Sequence, residues 1–208
     1  TIESANVLRE LIRRNKTITS LSIADNAFGR DAAATQSILE SVRSNTALKQ
    51  LDLGRVGLVD EDISVLANAL VTRNASMVEL DLRCNGITSV GVRALVDDNA
   101  EALKTLTKLC LTFIPVKSEG ATILADALGR NAMPSLKQLE LSFCHIDDDG
   151  FMALVSALEQ NESVQILYLA GNDFGERGFK ALAESLPDIK VLKQINITAN
   201  AVFESTLP

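Results

Sequence analysis

Residues 164–174 read Val-Gln-Ile-Leu-Tyr-Leu-Ala-Gly-Asn-Asp-Phe, a phrase of the form L-x-x-L-x-L-x-x-N-x-L with apolar residues at the L positions. Six further copies occur. They begin at Ile18, Leu48, Met77, Leu106, Leu136 and Leu192, so successive copies are 28–30 residues apart. Seven copies in near-constant register predict a solenoid in which one structural unit is stacked on the next.

Each copy divides into two halves with different periodicity. Apolar residues two apart, such as Leu167 and Leu169, point to one side of a short strand. The residues that follow repeat at helical spacing, as Leu154, Val155 and Leu158 do. Because a strand, a helix and another strand in series give parallel strands, we expect one parallel sheet with all helices on one side.

Repeats of this length with a full helix resemble the ribonuclease-inhibitor-like class of leucine-rich-repeat proteins. That class includes ribonuclease inhibitor, Ran GTPase-activating protein, NOD-like receptors and tropomodulin. The N position departs from the pattern at Val56 and Ile114, and the low cysteine count argues against ribonuclease inhibitor itself. The resemblance implies an α/β leucine-rich-repeat horseshoe of about seven repeats, with strands on the concave face, helices on the convex face and a protein-binding role.

The repeats predict a single array over residues 1–208. Residues 1–17 form a helical half-repeat, because apolar residues share one face of a helix there, and strands start near 18, 48, 77, 106, 136, 164 and 192. Neither end shows an obvious polar cap, which terminal repeats usually need. We therefore expect the chain to be a segment of a longer protein.

Glycine and asparagine each recur at a fixed position of the repeat. Glycine recurs near the start of each helix, at Gly91, Gly120, Gly150 and Gly178, which predicts close approach to the neighbouring repeat. Asparagine recurs at the helix ends, at Asn15, Asn45, Asn74, Asn131 and Asn161, which predicts a left-handed residue there.

Charge, hydropathy and cysteine content argue against nucleic-acid and membrane partners. The net charge is −7 and the sequence pI is near 4.8, whereas nucleic-acid-binding proteins usually carry a clustered basic surface. No apolar run approaches the ~18 residues of a membrane span. Three scattered cysteines without a C-x-x-C pair indicate a reducing compartment. We therefore predict a cytoplasmic protein without nucleic-acid binding or membrane insertion.

Catalytic and metal-binding patterns are weak. Cys144 takes the inward N position while its neighbour His145 points outward, so the two do not form a nucleophile–base pair. The acidic run 147–149 suits a helix start better than a calcium loop, because a calcium loop needs a glutamate at its twelfth position, whereas Glu159 falls inside a predicted helix. We expect no enzymatic activity, no cofactor and no metal site.

One enzymatic alternative stays open. Ran GTPase-activating protein belongs to the same class, and Arg55 stands at a predicted strand end where it could serve as an arginine finger. A second alternative is a purely structural spacer.

The favoured interpretation is a recognition module that binds a partner protein, of unknown identity, through its concave strands. The candidate contact residues are Asp52, Glu79, Asp81, Arg83, Lys108, Phe113, Glu140, Phe143, Ile166 and Tyr168. The acidic members would suit a basic partner, and the apolar members could form one contiguous surface. Alternatively, Phe113 and Phe143 fold over their strand ends and plug the turns.

Overall fold

The computed structural model describes residues 2–73, 77–96 and 103–201. Seven parallel strands form one sheet in which each strand pairs with the next in sequence. They are β1 Ser20–Ser22, β2 Gln50–Asp52, β3 Glu79–Asp81, β4 Lys108–Cys110, β5 Gln138–Glu140, β6 Ile166–Tyr168 and β7 Gln194–Asn196. Each strand begins two residues after the first position of its phrase.

Seven helices are described. They are α1 Ile2–Arg14, α2 Ala32–Val42, α3 Asp60–Arg73, α4 Ser89–Val96, α5 Lys117–Gly129, α6 Asp148–Gln160 and α7 Glu176–Ser185. A 3-10 helix, Ala27–Arg30, lies between β1 and α2. Consecutive described helices contact one another along the whole series, so the helices form a layer that follows the sheet.

The strand register aligns the central leucines of the repeats in one row. Leu21, Leu51, Leu80, Leu109, Leu139, Leu167 and Ile195 are paired in sequence order across the sheet. The five inner members are buried, while Leu21 and Ile195 are partly buried because each has only one neighbouring strand in the sheet. The predicted α/β leucine-rich-repeat solenoid is therefore confirmed.

The glycines near the helix starts lie against the preceding repeat, as predicted. A Cβ added to Gly150 would lie 2.7 Å from the Cα of Ser118. A Cβ added to Gly91 would lie 2.5 Å from a carboxylate oxygen of Asp60. Because a backbone atom such as the Ser118 Cα cannot move aside, glycine sets how closely these repeats approach.

The prediction that the helix-ending asparagines are left-handed is wrong for most of them. Asn131 has a φ of 56°, but Asn15 and Asn45 have negative φ, and Asn161 is extended with a φ of −82°. Asn74 lies outside the described residues.

Asn45 shows the role that these asparagine side chains take instead. Its Oδ1 accepts hydrogen bonds from the amides of Ala47 and Leu48, at 2.8 and 3.0 Å. Its Nδ2 donates to the carbonyl of Ile12 at 2.6 Å, one repeat earlier. The side chain therefore pairs backbone groups of two repeats that would otherwise lack partners.

Candidate protein-binding face

The open face of the sheet is the side of the strands that points away from the helices. The central residue of each inner strand is buried, whereas its neighbours are mostly part-exposed. The predicted strand residues Asp52, Glu79, Asp81, Lys108, Glu140, Ile166 and Tyr168 all keep partial exposure on this face. Cys110 occupies an equivalent position but is buried, and burial raises the pKa of its thiol to about 12.

Arg83 links the carboxylates of two adjacent strands. Its guanidinium lies 3.4 Å from Asp52 on β2 and 3.3 Å from Asp81 on β3. The same carboxylates also accept hydrogen bonds from backbone amides in the turns. The amide of Gly54 donates to Asp52 and the amide of Arg83 donates to Asp81, both at 2.9 Å. The structure therefore brings three predicted contact residues into one network.

Lys108 and Glu140 form a second pair across β4 and β5, with 2.8 Å between Nζ and Oε1. Burial alone would raise the pKa of Glu140, but hydrogen bonds from Lys108, Cys110 and Gln138 outweigh burial and lower that pKa. The hydrogen bond to Glu140 raises the pKa of Lys108, against the opposing effect of burial. Both groups are thus held in their charged forms.

Glu79 differs from the other three carboxylates of the open face. Among the described residues, its carboxylate accepts a side-chain hydrogen bond from the neutral amide of Gln50, at 2.8 Å, and has no ion pair. It lines a shallow groove of about 250 Å³ together with Asp52, Asp81 and Lys108. This carboxylate is therefore the one best placed to meet a cation from outside.

Phe113 and Phe143 form an exposed aromatic pair at the exits of β4 and β5. Their rings are stacked, with centroids 4.5 Å apart and planes 5° from parallel. The two residues remain 53% and 44% exposed. The rings are therefore not buried, and an apolar surface is left facing solvent.

The backbone at these phenylalanines belongs to a repeating feature that the sequence reasoning missed. The residue before each N position has a φ between 55° and 66°. This left-handed row consists of Asp25, Arg55, Cys84, Phe113, Phe143, Gly171 and Ala199. A left-handed conformation is unusual for a residue as bulky as phenylalanine. The only signal in the sequence was the fixed position of these residues relative to the N position.

Gly171 makes room for the aromatic pair. A Cβ at Gly171 would lie 2.3 Å from the Phe143 ring, so that ring lies over the next turn of the row. Tyr168 and Ile166 lie on β6, where the Tyr168 hydroxyl accepts from Gln194 at 3.2 Å. Among the described residues, ring stacking joins Phe113 to Phe143 but does not extend to Tyr168.

Arg55 lies on the same row and is largely exposed. Its Nη1 is 3.4 Å from a carboxylate oxygen of Asp25. A hydrogen bond with Cys84 and the charge of Asp25 raise the pKa of Arg55. The guanidinium therefore interacts with both of its neighbours in the row, Asp25 and Cys84.

Comparison with known proteins agrees with this architecture. A family profile described as "Leucine Rich repeat" matches residues 73–96, 132–155 and 160–183. Human "NACHT, LRR and PYD domains-containing protein 3" is 28% identical over 96% of this chain. Mouse ribonuclease inhibitor is 26% identical over 73% of this chain. The repeats, these relatives and the fold support a ribonuclease-inhibitor-like class of leucine-rich repeat.

This leucine-rich-repeat chain spans only part of those relatives, 22% of the human protein and 33% of mouse ribonuclease inhibitor. Among solved structures, the tropomodulin C-terminal domain of Caenorhabditis elegans has the same fold. It aligns with a TM-score of 0.50 at 14% identity and covers 88% of this chain and 92% of that domain.

The residues considered for catalysis are separate in this leucine-rich-repeat structure. Cys144 is buried and its Sγ donates to the carbonyl of Leu111, while burial raises its pKa to about 12. His145 is exposed, with Nδ1 at 3.2 Å from a carboxylate oxygen of Asp173. The thiol and the imidazole therefore have separate partners, as the sequence predicted.

The acidic run after β5 forms a helix start. Asp147 is the N-cap of α6 and accepts from the amides of Asp149 and Gly150, at 3.0 and 3.2 Å. Over the described ranges, no group of three or more histidine, cysteine or acidic residues could hold a metal ion. Of the helices in those ranges, none has the length and apolar character needed to cross a bilayer.

Proposed function

We propose that this chain is a non-enzymatic recognition module that binds a partner protein through the open face of its sheet and the Phe113–Phe143 pair. The exposed aromatic stack is the observation that carries the proposal. Aromatic residues exposed among polar groups often anchor protein interfaces.

The relatives support a binding role without identifying the partner. The name of ribonuclease inhibitor describes a protein that acts on another protein, and it uses the same class of repeat. We propose that this chain works as part of a larger receptor, scaffold or regulator. A reducing, cytoplasmic setting suits the three free cysteines, of which Cys110 and Cys144 are buried.

The test compares two double variants of the full chain in quantitative affinity capture. Phe113→Ser with Phe143→Ser should reduce partner recovery by about tenfold or more, because interface aromatics commonly contribute more than 1 kcal/mol each. Val7→Ser with Val90→Ser is the matched control, since those residues are 65% and 64% exposed but lie on helices. Full partner recovery by the phenylalanine variant would reject the proposal and favour the spacer.

The GTPase-activating alternative is tested through Arg55. An arginine finger raises GTP hydrolysis by roughly 10³–10⁵-fold. We expect the wild-type chain to leave the hydrolysis rates of a panel of small GTPases unchanged, and Arg55→Ala to behave the same. Acceleration by the wild type that Arg55→Ala abolishes would establish the enzyme instead.

A further inference from the structure

We infer that the open face recognises a single partner segment that carries a basic side chain and an aromatic or large aliphatic side chain, with the basic group directed to Glu79 and the apolar group to the Phe113–Phe143 pair. This inference rests on the proposed function. It adds the chemistry of the partner and the spacing of its two contact residues.

The charge of the open face selects a basic group. The six charged contact residues are Asp52, Glu79, Asp81, Arg83, Lys108 and Glu140. Four carboxylates and two cations give a formal net charge of −2. Arg83 and Lys108 form ion pairs with three of the carboxylates, whereas Glu79, beside the groove, has no ion pair among the described residues and interacts with Lys108 as a nearby charge.

The aromatic pair selects an apolar group. One side of the Phe143 ring is covered by the turn at Gly171, and the ring of Phe113 covers the other. Phe113 is the more exposed of the two. Solvent therefore meets the edges of both rings and the outer side of Phe113, where an apolar side chain could pack and release water.

The sheet geometry limits the distance between the two subsites. Glu79 is in register with Lys108, and Phe113 follows Lys108 by five residues in the same repeat. Strand spacing of about 4.8 Å and a rise of at most about 3.3 Å per residue put Glu79 no more than about 17 Å from Phe113, since the chain turns after β4 ends at Cys110. An extended segment covers that distance in roughly five residues.

The test uses short synthetic peptides on a glycine–serine background, with binding followed by fluorescence polarisation. The reference peptide carries an Arg-Arg block and a Phe-Phe block with the two blocks roughly five residues apart. The comparison peptides replace arginine with glutamate, replace phenylalanine with serine, or place the two blocks side by side. Each is titrated against the wild-type chain, Glu79→Gln and the Phe113→Ser with Phe143→Ser variant.

We expect the reference peptide to bind the wild type about tenfold more tightly than any comparison peptide. Glu79→Gln should weaken reference binding several-fold and should not weaken binding of the glutamate peptide, because it removes a charge that repels glutamate. Glutamine at this position can still accept from Gln50, so the local structure is kept. Glu162→Gln is the matched control, an exposed acidic residue outside the strands, and should have no effect. The phenylalanine variant should lose the reference peptide.

Two results would overturn this inference while leaving the proposed function intact. One is equal binding of the arginine and glutamate peptides. The other is failure of every peptide to bind while the phenylalanine variant still loses protein partners in affinity capture. If the phenylalanine variant keeps both peptide binding and protein capture, the inference and the proposed function are both wrong.

Discussion

At the residue scale, single amide side chains join one repeat to the next. Asn85 donates to the carbonyls of Leu82 in its own repeat and Leu53 in the preceding one, at 2.7 and 2.9 Å. Its Oδ1 accepts from the amides of Val56 and Leu58, at 3.2 and 3.0 Å. The turn at Val56, whose own side chain has no hydrogen-bonding group, is therefore satisfied by the asparagine of the following repeat.

Asn85→Ala should lower the free energy of unfolding by roughly 2 kcal/mol, because it leaves buried backbone groups without partners. Urea unfolding followed by circular dichroism measures this loss. Asn26→Ala is the control, because within the described part of the chain the Asn26 amide donates to carbonyls of its own turn alone, those of Ile23 and Ala24. Equal losses in the two variants would contradict the role of Asn85 as a link between repeats.

Most of the residues that could be predicted from sequence are those that recur at a fixed position of the repeat. The leucine row and the outward His145 followed from position within one phrase. The links made by Asn45 and Asn85 did not, because they depend on which backbone groups the neighbouring repeat presents. The Phe113–Phe143 stack likewise needed the distance between two turns and the space above Gly171.

At the scale of elements, one helix caps the next. Asp148 is the first residue of α6, yet its Oδ1 accepts from the amides of Gly175 and Gly178 at the start of α7, at 2.9 and 2.7 Å. Asp60 of α3 does the same for Gly91 of α4 at 2.9 Å. Sequence reasoning expects an acidic residue at a helix start to cap its own helix. In this solenoid the carboxylates of Asp148 and Asp60 accept instead from the start of the following helix.

Asp148→Ala should therefore destabilise α7 more than α6. Loss of a helix cap costs about 1 kcal/mol. Hydrogen exchange by mass spectrometry should show faster exchange over residues 176–185, with a smaller change over 148–160. Asp149→Ala removes only an exposed pair with Arg177 and serves as the control. Faster exchange confined to α6 would show that Asp148 caps its own helix alone.

The pair between β4 and β5 predicts a pH dependence. The folded-state pKa of Glu140 is lowered, so its contribution is present above the ordinary value of 4.5 and is lost as pH falls through the folded value. The raised pKa of Lys108 makes its contribution present below 10.5 and lost at higher pH. The pair therefore stabilises the fold between these two limits.

Glu140→Gln should reduce stability near neutral pH by about 0.5–1 kcal/mol, a small value because the pair is partly exposed to solvent. The difference from wild type should shrink as the pH falls below 4.5 and through the lowered folded-state pKa, where the carboxylate of the wild type becomes protonated. Urea unfolding at several pH values measures it. A difference that stays constant down to acidic pH would contradict the assigned ion pair.

At the scale of the whole molecule, the repeats contact only their neighbours. The strand order and the helix contacts both follow the sequence order. Stability in such an array is a sum of repeat and interface contributions, so damage in one repeat should spread mainly to adjacent ones. The single continuous core cluster shows that every described repeat shares apolar contacts with the next.

Leu141→Asp tests this locality. Leu141 is fully buried, so the substitution places an unpaired charge in the core of the fifth repeat and should destabilise it strongly. Hydrogen exchange should increase from β4 to β6 and stay near wild type in α1 and β1. Ser156→Asp, at an exposed position on α6 of the same repeat, is the control. Wild-type stability in Leu141→Asp would contradict the assignment of inward and outward faces.

The residues of the left-handed row lie apart from the buried residues that stabilise the fold. Residues as unlike as Asp25, Arg55, Phe113 and Gly171 share one backbone conformation, and none of the four belongs to the buried core. Single substitutions at these positions therefore change what the protein can bind while the buried core stays the same. In a family with this arrangement, the binding partners can diverge faster than the fold.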